Sequence, residues 1–99
     1  MTQYALSVEL KAKPGKEEEV AAFLKSAQSL VQAESGTVAW FALRLDTQTF
    51  AIVDAFDDEA GREAHLNGAV ASLLIAKSGE LLAQAPQIRK AEVLADKVP

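Results

Sequence analysis

The chain has 99 residues, 49% of them hydrophobic and 24% charged, with a formal net charge of −4 and a pI near 4.9. This length fits one small domain over residues 1–99; the composition excludes a disordered chain, and the acidic balance argues against a nucleic-acid partner. Cysteine is absent, which rules out disulfides, thiolate metal sites and a cysteine nucleophile. Without an apolar run of about 18 residues or a basic, apolar leader, no membrane contact and a cytoplasmic location are expected.

In chain order, Tyr4 to Ala12 alternates, with Tyr4, Leu6, Val8 and Leu10 on one side, and reads as a strand with one apolar face. Lys13-Pro14-Gly15 breaks it. Lys16 to Glu34 carries Val20, Phe23, Leu24, Ala27, Leu30 and Val31 at helical spacing. Glu17, Glu18 and Glu19 fall in its first turn, where carboxylates suit the helix dipole and remain solvated. Ser35-Gly36 ends the helix, with Gly36 expected in the left-handed conformation.

A hairpin follows, Thr37 to Leu45 and Thr49 to Phe56, turning at Asp46 to Gln48. One parity carries Val38, Trp40, Ala42, Phe50, Ile52 and Phe56; the other carries Ala39, Phe41, Leu43, Leu45, Ala51, Val53 and Ala55. A half-exposed antiparallel sheet alternates apolar with polar residues, so a pair apolar on both sides calls for cover on both. The chain has helix enough for one face, and a second copy of the protein is expected on the other.

Asp57 or Asp58 can cap a helix over Glu59 to Asn67, which Gly68 ends or kinks. Ala69 to Gln84 is a second helical run, with Val70, Leu73, Leu74, Leu81 and Leu82 on its apolar side and Gly79 as a weak point. Ala85-Pro86 stops it. Gln87 to Ala95 reads as a last strand with Ile88, Val93 and Leu94 as its apolar members. The order predicts an α+β domain of the ferredoxin-like β-α-β-β-α-β type with a split second helix and a four-stranded antiparallel sheet.

No glycine-rich phosphate loop occurs, one histidine cannot make a paired metal motif, and no nucleophile elbow is present. His65 is the one side chain that titrates near neutrality without a large shift. It is either a proton shuttle or a helix residue satisfied by a carbonyl or carboxylate, and no carboxylate pair at helical spacing joins it. Trp40 is either a wall for a flat ligand or a core residue whose indole N–H finds a partner. The hairpin register pairs it with Asp54. Arg44 and Asp54 are polar anchors or a structural ion pair, and a carboxylate inside an apolar strand must be paired or shifted. Tyr4 packs at a sheet end or offers its hydroxyl to a ligand, and Asn67 reads as a helix C-terminal residue.

Lys-Ala-Lys-Pro-Gly-Lys at 11–16, Ala-Glu-Ser-Gly-Thr at 33–37, Phe-Asp-Asp-Glu-Ala-Gly-Arg-Glu-Ala-His-Leu at 56–66 and Glu-Val-Leu-Ala-Asp-Lys-Val-Pro at 92–99 resemble the antibiotic biosynthesis monooxygenase family, in particular its small quinol-monooxygenase-like members. The resemblance implies a homodimer closed as an α+β barrel, with an apolar pocket between sheet and helices. It also implies oxidation of a phenolic or quinol substrate by O₂ without metal, flavin or haem. In those terms Trp40 and Phe56 contact the ring, His65, at the family's helix histidine position, relays the proton, and Arg44 stabilises the anion if it faces the pocket. On their own chemistry, Asp54 is added as a catalytic candidate and Tyr4 as a substrate-binding one. Haem-degrading relatives need a histidine on the helix that here spans Ala69 to Gln84; Ile75 occupies its middle, so haem degradation is not expected. Phe56 stands where many relatives carry tryptophan. The alternatives are a non-catalytic protein that binds an aromatic metabolite and an isomerase of a small oxygenated metabolite.

Overall fold

The structure, a computed structural model, describes residues 2–98. It contains β1 (Tyr4–Lys11), α1 (Glu17–Gln32), β2 (Thr37–Arg44), β3 (Thr49–Phe56), α2 (Glu59–Leu66), α3 (Ala69–Leu81) and β4 (Gln87–Glu92). The four strands form one antiparallel sheet in the order β2-β3-β1-β4. This is the expected ferredoxin-like arrangement with a divided second helix. Strand alternation decides which side the helices cover. Leu6, Val8, Leu10, Phe50, Ile52, Asp54 and Phe56 are all buried on the helix side, while Phe41, Leu43 and Val53 on the opposite face are exposed.

The α1 stripe is buried at Val20, Leu24, Ala27 and Val31; Leu30, at its margin, is exposed. Among the described residues Gly15 alone takes a positive φ, +87°, and turns the chain between β1 and α1. Gly36 does not adopt the left-handed conformation expected of it. Its lack of a side chain serves packing instead: a Cβ on Gly36 would lie 3.0 Å from Gly61 Cα, and one on Gly61 would lie 2.9 Å from Gly36 O. The turn after α1 therefore rests backbone to backbone on α2.

Three further departures have physical causes. A register shift between Thr37 and Ala39 leaves Val38 as an extra, exposed residue, off the apolar face it was expected to share with Trp40. α3 stops at Leu81 because Leu82 turns extended and bridges Ala12, while Ala83 N–H donates to Lys11 O. β4 ends at Glu92 and every residue in it is exposed. It is an edge strand that no helix backbone approaches within 8 Å, so Ile88 is half-covered at best and Leu94 is 89% exposed.

Candidate functional site

Three elements converge on His65. The imidazole projects from α2, Asp54 lies opposite it in the middle of β3, and Glu34 follows the end of α1. His65 Nδ1 is 2.5 Å from Glu34 Oε1, and Nε2 is 3.1 Å from Asp54 Oδ2. Thr37 Oγ1 donates to the same Glu34 oxygen at 2.8 Å. Phe56, fully buried, sets its ring centroid 5.5 Å from the imidazole. Side-chain exposure rises along the array, from 1% at Asp54 to 7% at His65 and 20% at Glu34.

Local sequence explains the placement. Asp58 Oδ1 accepts from Gly61 N–H at 2.7 Å and starts α2. The Gly36–Gly61 contact then brings the turn bearing Glu34 against the helix bearing His65. Burial pushes the His65 pKa down, but contacts with Asp54 and then Glu34 outweigh it and raise the pKa above the ordinary 6.5. The array thus favours the protonated imidazole between two carboxylates. The Nε2 contact is close but poorly aligned, and both Asp54 oxygens lack a hydrogen-bond partner of good geometry. The two carboxylates sit on opposite nitrogens of the ring, so the three groups cannot converge on one metal ion, and no metal-binding cluster occurs among the described residues.

Asp54 and His65 border a small cavity of about 30 Å³ whose other walls include Leu6, Ile52, Val70 and Leu74. That volume holds a water and not an aromatic ring. The roof of the cavity is α3, which packs on α1 and α2 while its Cα atoms stay more than 8 Å from every strand; Val70, Leu74 and Leu81 bridge the gap.

The other sequence-selected residues lie elsewhere. Trp40 is the cross-strand neighbour of Asp54, as the hairpin register predicted, but its half-buried ring packs toward α1 and its Nε1 has no partner. It lines an open cleft of about 490 Å³ with Leu24, Gln28, Phe50 and Arg44. Arg44 lies four residues along β2, about 13 Å from Trp40. It donates to Glu18 at 2.9 Å and Thr47 O at 3.0 Å and stacks 5.0 Å over Phe50, so it pairs with neither Asp54 nor His65. Tyr4 pairs with Phe56 across the sheet and carries the Arg62 guanidinium 5.1 Å above its ring. Asn67 is the C-terminal cap residue of α2, its amide on Glu63 O. Glu34 was not singled out beforehand. Its one signal is a carboxylate placed directly before a helix-ending Ser-Gly, and nothing in sequence spacing joins it to a residue 31 positions away.

Residues 3–72 match the antibiotic biosynthesis monooxygenase family model. The chain belongs to this family. A protein of unknown function from Nitrosomonas europaea is 56% identical, with a TM-score of 0.98 over 100% of this chain and 96% of that one. A Pseudomonas aeruginosa protein is 25% identical, with a TM-score of 0.80 over 96% and 97% of the two chains. A Mycobacterium tuberculosis protein, 15% identical with a TM-score of 0.83 over 97% and 99%, shares the fold. No curated protein matches the chain.

Proposed function

We propose that this family member is a cofactor-independent monooxygenase that oxidises a phenolic or quinol small molecule with O₂. The observation that carries the reading is Asp54, a carboxylate without a well-aligned donor at the wall of an apolar cavity, backed by an imidazolium that Glu34 holds from behind. Asp54 accepts the substrate's acidic proton. His65, fixed at Nδ1 by Glu34, keeps its own ring protons and holds positive charge beside Asp54, which favours the substrate anion in the cavity while Asp54 keeps the proton.

For an anthrone-type substrate the balance is simple. The anion gives electrons to O₂, a carbon–oxygen bond forms, and the hydroperoxide regains the proton and loses water. A ring CH₂ and O₂ thus become C=O and H₂O. The substrate supplies every electron, and the protein's share is to hold the ring, park the proton and exclude water. Entry of a ring requires the N-terminal part of α3 to lift from the sheet, where only side chains such as Val70 and Leu74 span the gap, while backbone bonds to Lys11 and Lys13 hold its C-terminal end.

Oxygen uptake with dihydroquinones and anthrones, without added cofactor, tests the reading. Wild type is expected to accelerate uptake above the buffer rate, and Asp54→Asn and His65→Gln to reduce it by about 10²–10⁴-fold. No acceleration with any of these substrates, or full activity in both variants, overturns it. A second reading is favoured by the cleft at Trp40. It is open, ring-sized and lined by none of Asp54, His65 and Glu34, as suits a protein that binds an aromatic metabolite without turning it over. Quenching of Trp40 fluorescence without product is its signature.

A further inference from the structure

The opposite end of α2 presents a second polar feature. Arg62 lies one turn before His65, on the same buried side of the helix, and its side chain is only 9% exposed. Its charge is poorly matched. Nη1 donates to Ala5 O at 3.4 Å and Ala91 O at 3.3 Å, longer than the roughly 2.7–2.9 Å of good charge-assisted bonds to an ionised acceptor. Nη2 reaches Glu59, a solvent-exposed carboxylate, only at 3.9 Å, where water screens most of the attraction. Nε has no partner. A buried cation left this way is costly.

The same guanidinium borders a cleft of about 540 Å³ between α2 and the β1–β4 edge, lined by Gln3, Tyr4, Lys90, Glu92 and Val93. Tyr4 supplies its floor, with the guanidinium 5.1 Å over the ring. Lys90 adds a second cation at the rim, held by Glu63 at 2.7 Å. Glu92, the carboxylate in the wall, disfavours highly charged anions. The volume suits a small organic molecule or ion.

We propose that this cleft is an oxyanion site, in which a carboxylate or a phosphate of low charge supplies the counter-charge that Arg62 lacks. The ligand places its oxygens on the guanidinium fork, Lys90 gives longer-range attraction, and the Tyr4 ring keeps the guanidinium plane fixed. The site stands apart from the Asp54 cavity and does not depend on the chemistry proposed there.

The test is an NMR titration of the Arg62 Nε–Hε resonance with inorganic phosphate and, separately, with benzoate, against sodium chloride at matched ionic strength. A saturable shift with a Kd of about 1 mM or tighter, absent with chloride, is expected from at least one of the two. Phosphate alone, or benzoate alone, then identifies which source of the oxyanion the site takes. Lys90→Gln is expected to weaken binding several-fold without touching the buried array. Arg62→Lys, which keeps the charge but loses the fork, is expected to weaken it at least tenfold, read by calorimetry. No saturable shift with either anion, an equal shift with chloride, or unchanged affinity in Arg62→Lys overturns the proposal.

Discussion

At the scale of single residues, the decisive group is His65, because it lies between two carboxylates that come from different parts of the chain. Its raised pKa means that folding favours proton uptake at the imidazole. The resulting stabilisation is fully present below the unfolded value near 6.5 and is lost as pH rises through the folded value. His65→Gln is therefore expected to be less stable than wild type at about pH 6, with the gap narrowing by about pH 9, as urea unfolding at the two values measures. Asp54→Ala should cost about 3–5 kcal/mol, because it removes one partner of a buried charged pair. Phe56→Ala should cost a similar amount, about 3–5 kcal/mol, through the cavity it leaves beneath the imidazole.

Among the elements, α2 controls the geometry of the array. It is short, capped at Asp58 and pressed on the Gly36 turn through Gly61. Gly61→Ala would push a methyl into a backbone carbonyl that has no freedom to rotate away. A loss of about 1–3 kcal/mol follows from overpacking, with a change in the His65 Nδ1 proton resonance as the Glu34 contact lengthens. Asp58→Ala removes the cap without altering the approach, and should cost about 1 kcal/mol while leaving that resonance in place. Thermal unfolding and proton NMR on the two variants separate the effects. The contrast with α3 is instructive: α3 ends early and exposes Leu73 and Ile75, while Val70, Leu74 and Leu81 hold it to the core.

For the whole molecule, the sheet face opposite the helices is the open question of assembly. Phe41 is 56% and Val53 39% exposed there, and the small residues Ala39, Ala51 and Ala55 surround them on the same strand parity. A second copy of the chain is the cover expected for an apolar face of this kind. Light scattering is expected to give about twice the chain mass of 10.6 kDa, and Val53→Glu or Phe41→Glu to give a single chain, since a buried unpaired carboxylate is costly at such an interface. A stable monomer in dilute wild-type solution would rule this out.

By itself the sequence determined the elements, because strand alternation and the helical stripe are local properties of residues such as Leu6, Val8, Val20 and Leu24. It also determined the pairing of Trp40 with Asp54, because the hairpin turn sets the register, and the resemblance of four segments to one family. Tertiary structure alone decided the candidate site. Glu34 reaches His65 where two glycines let separate backbones touch, and Asp54 reaches it where α2 packs on β3; such contacts have no period and no spacing to read. It likewise decided that Arg44 turns to Glu18 and not to Asp54, because four residues of strand carry it to the far end of the sheet. Charges choose partners by distance in space, and distance in space is what a linear order does not contain.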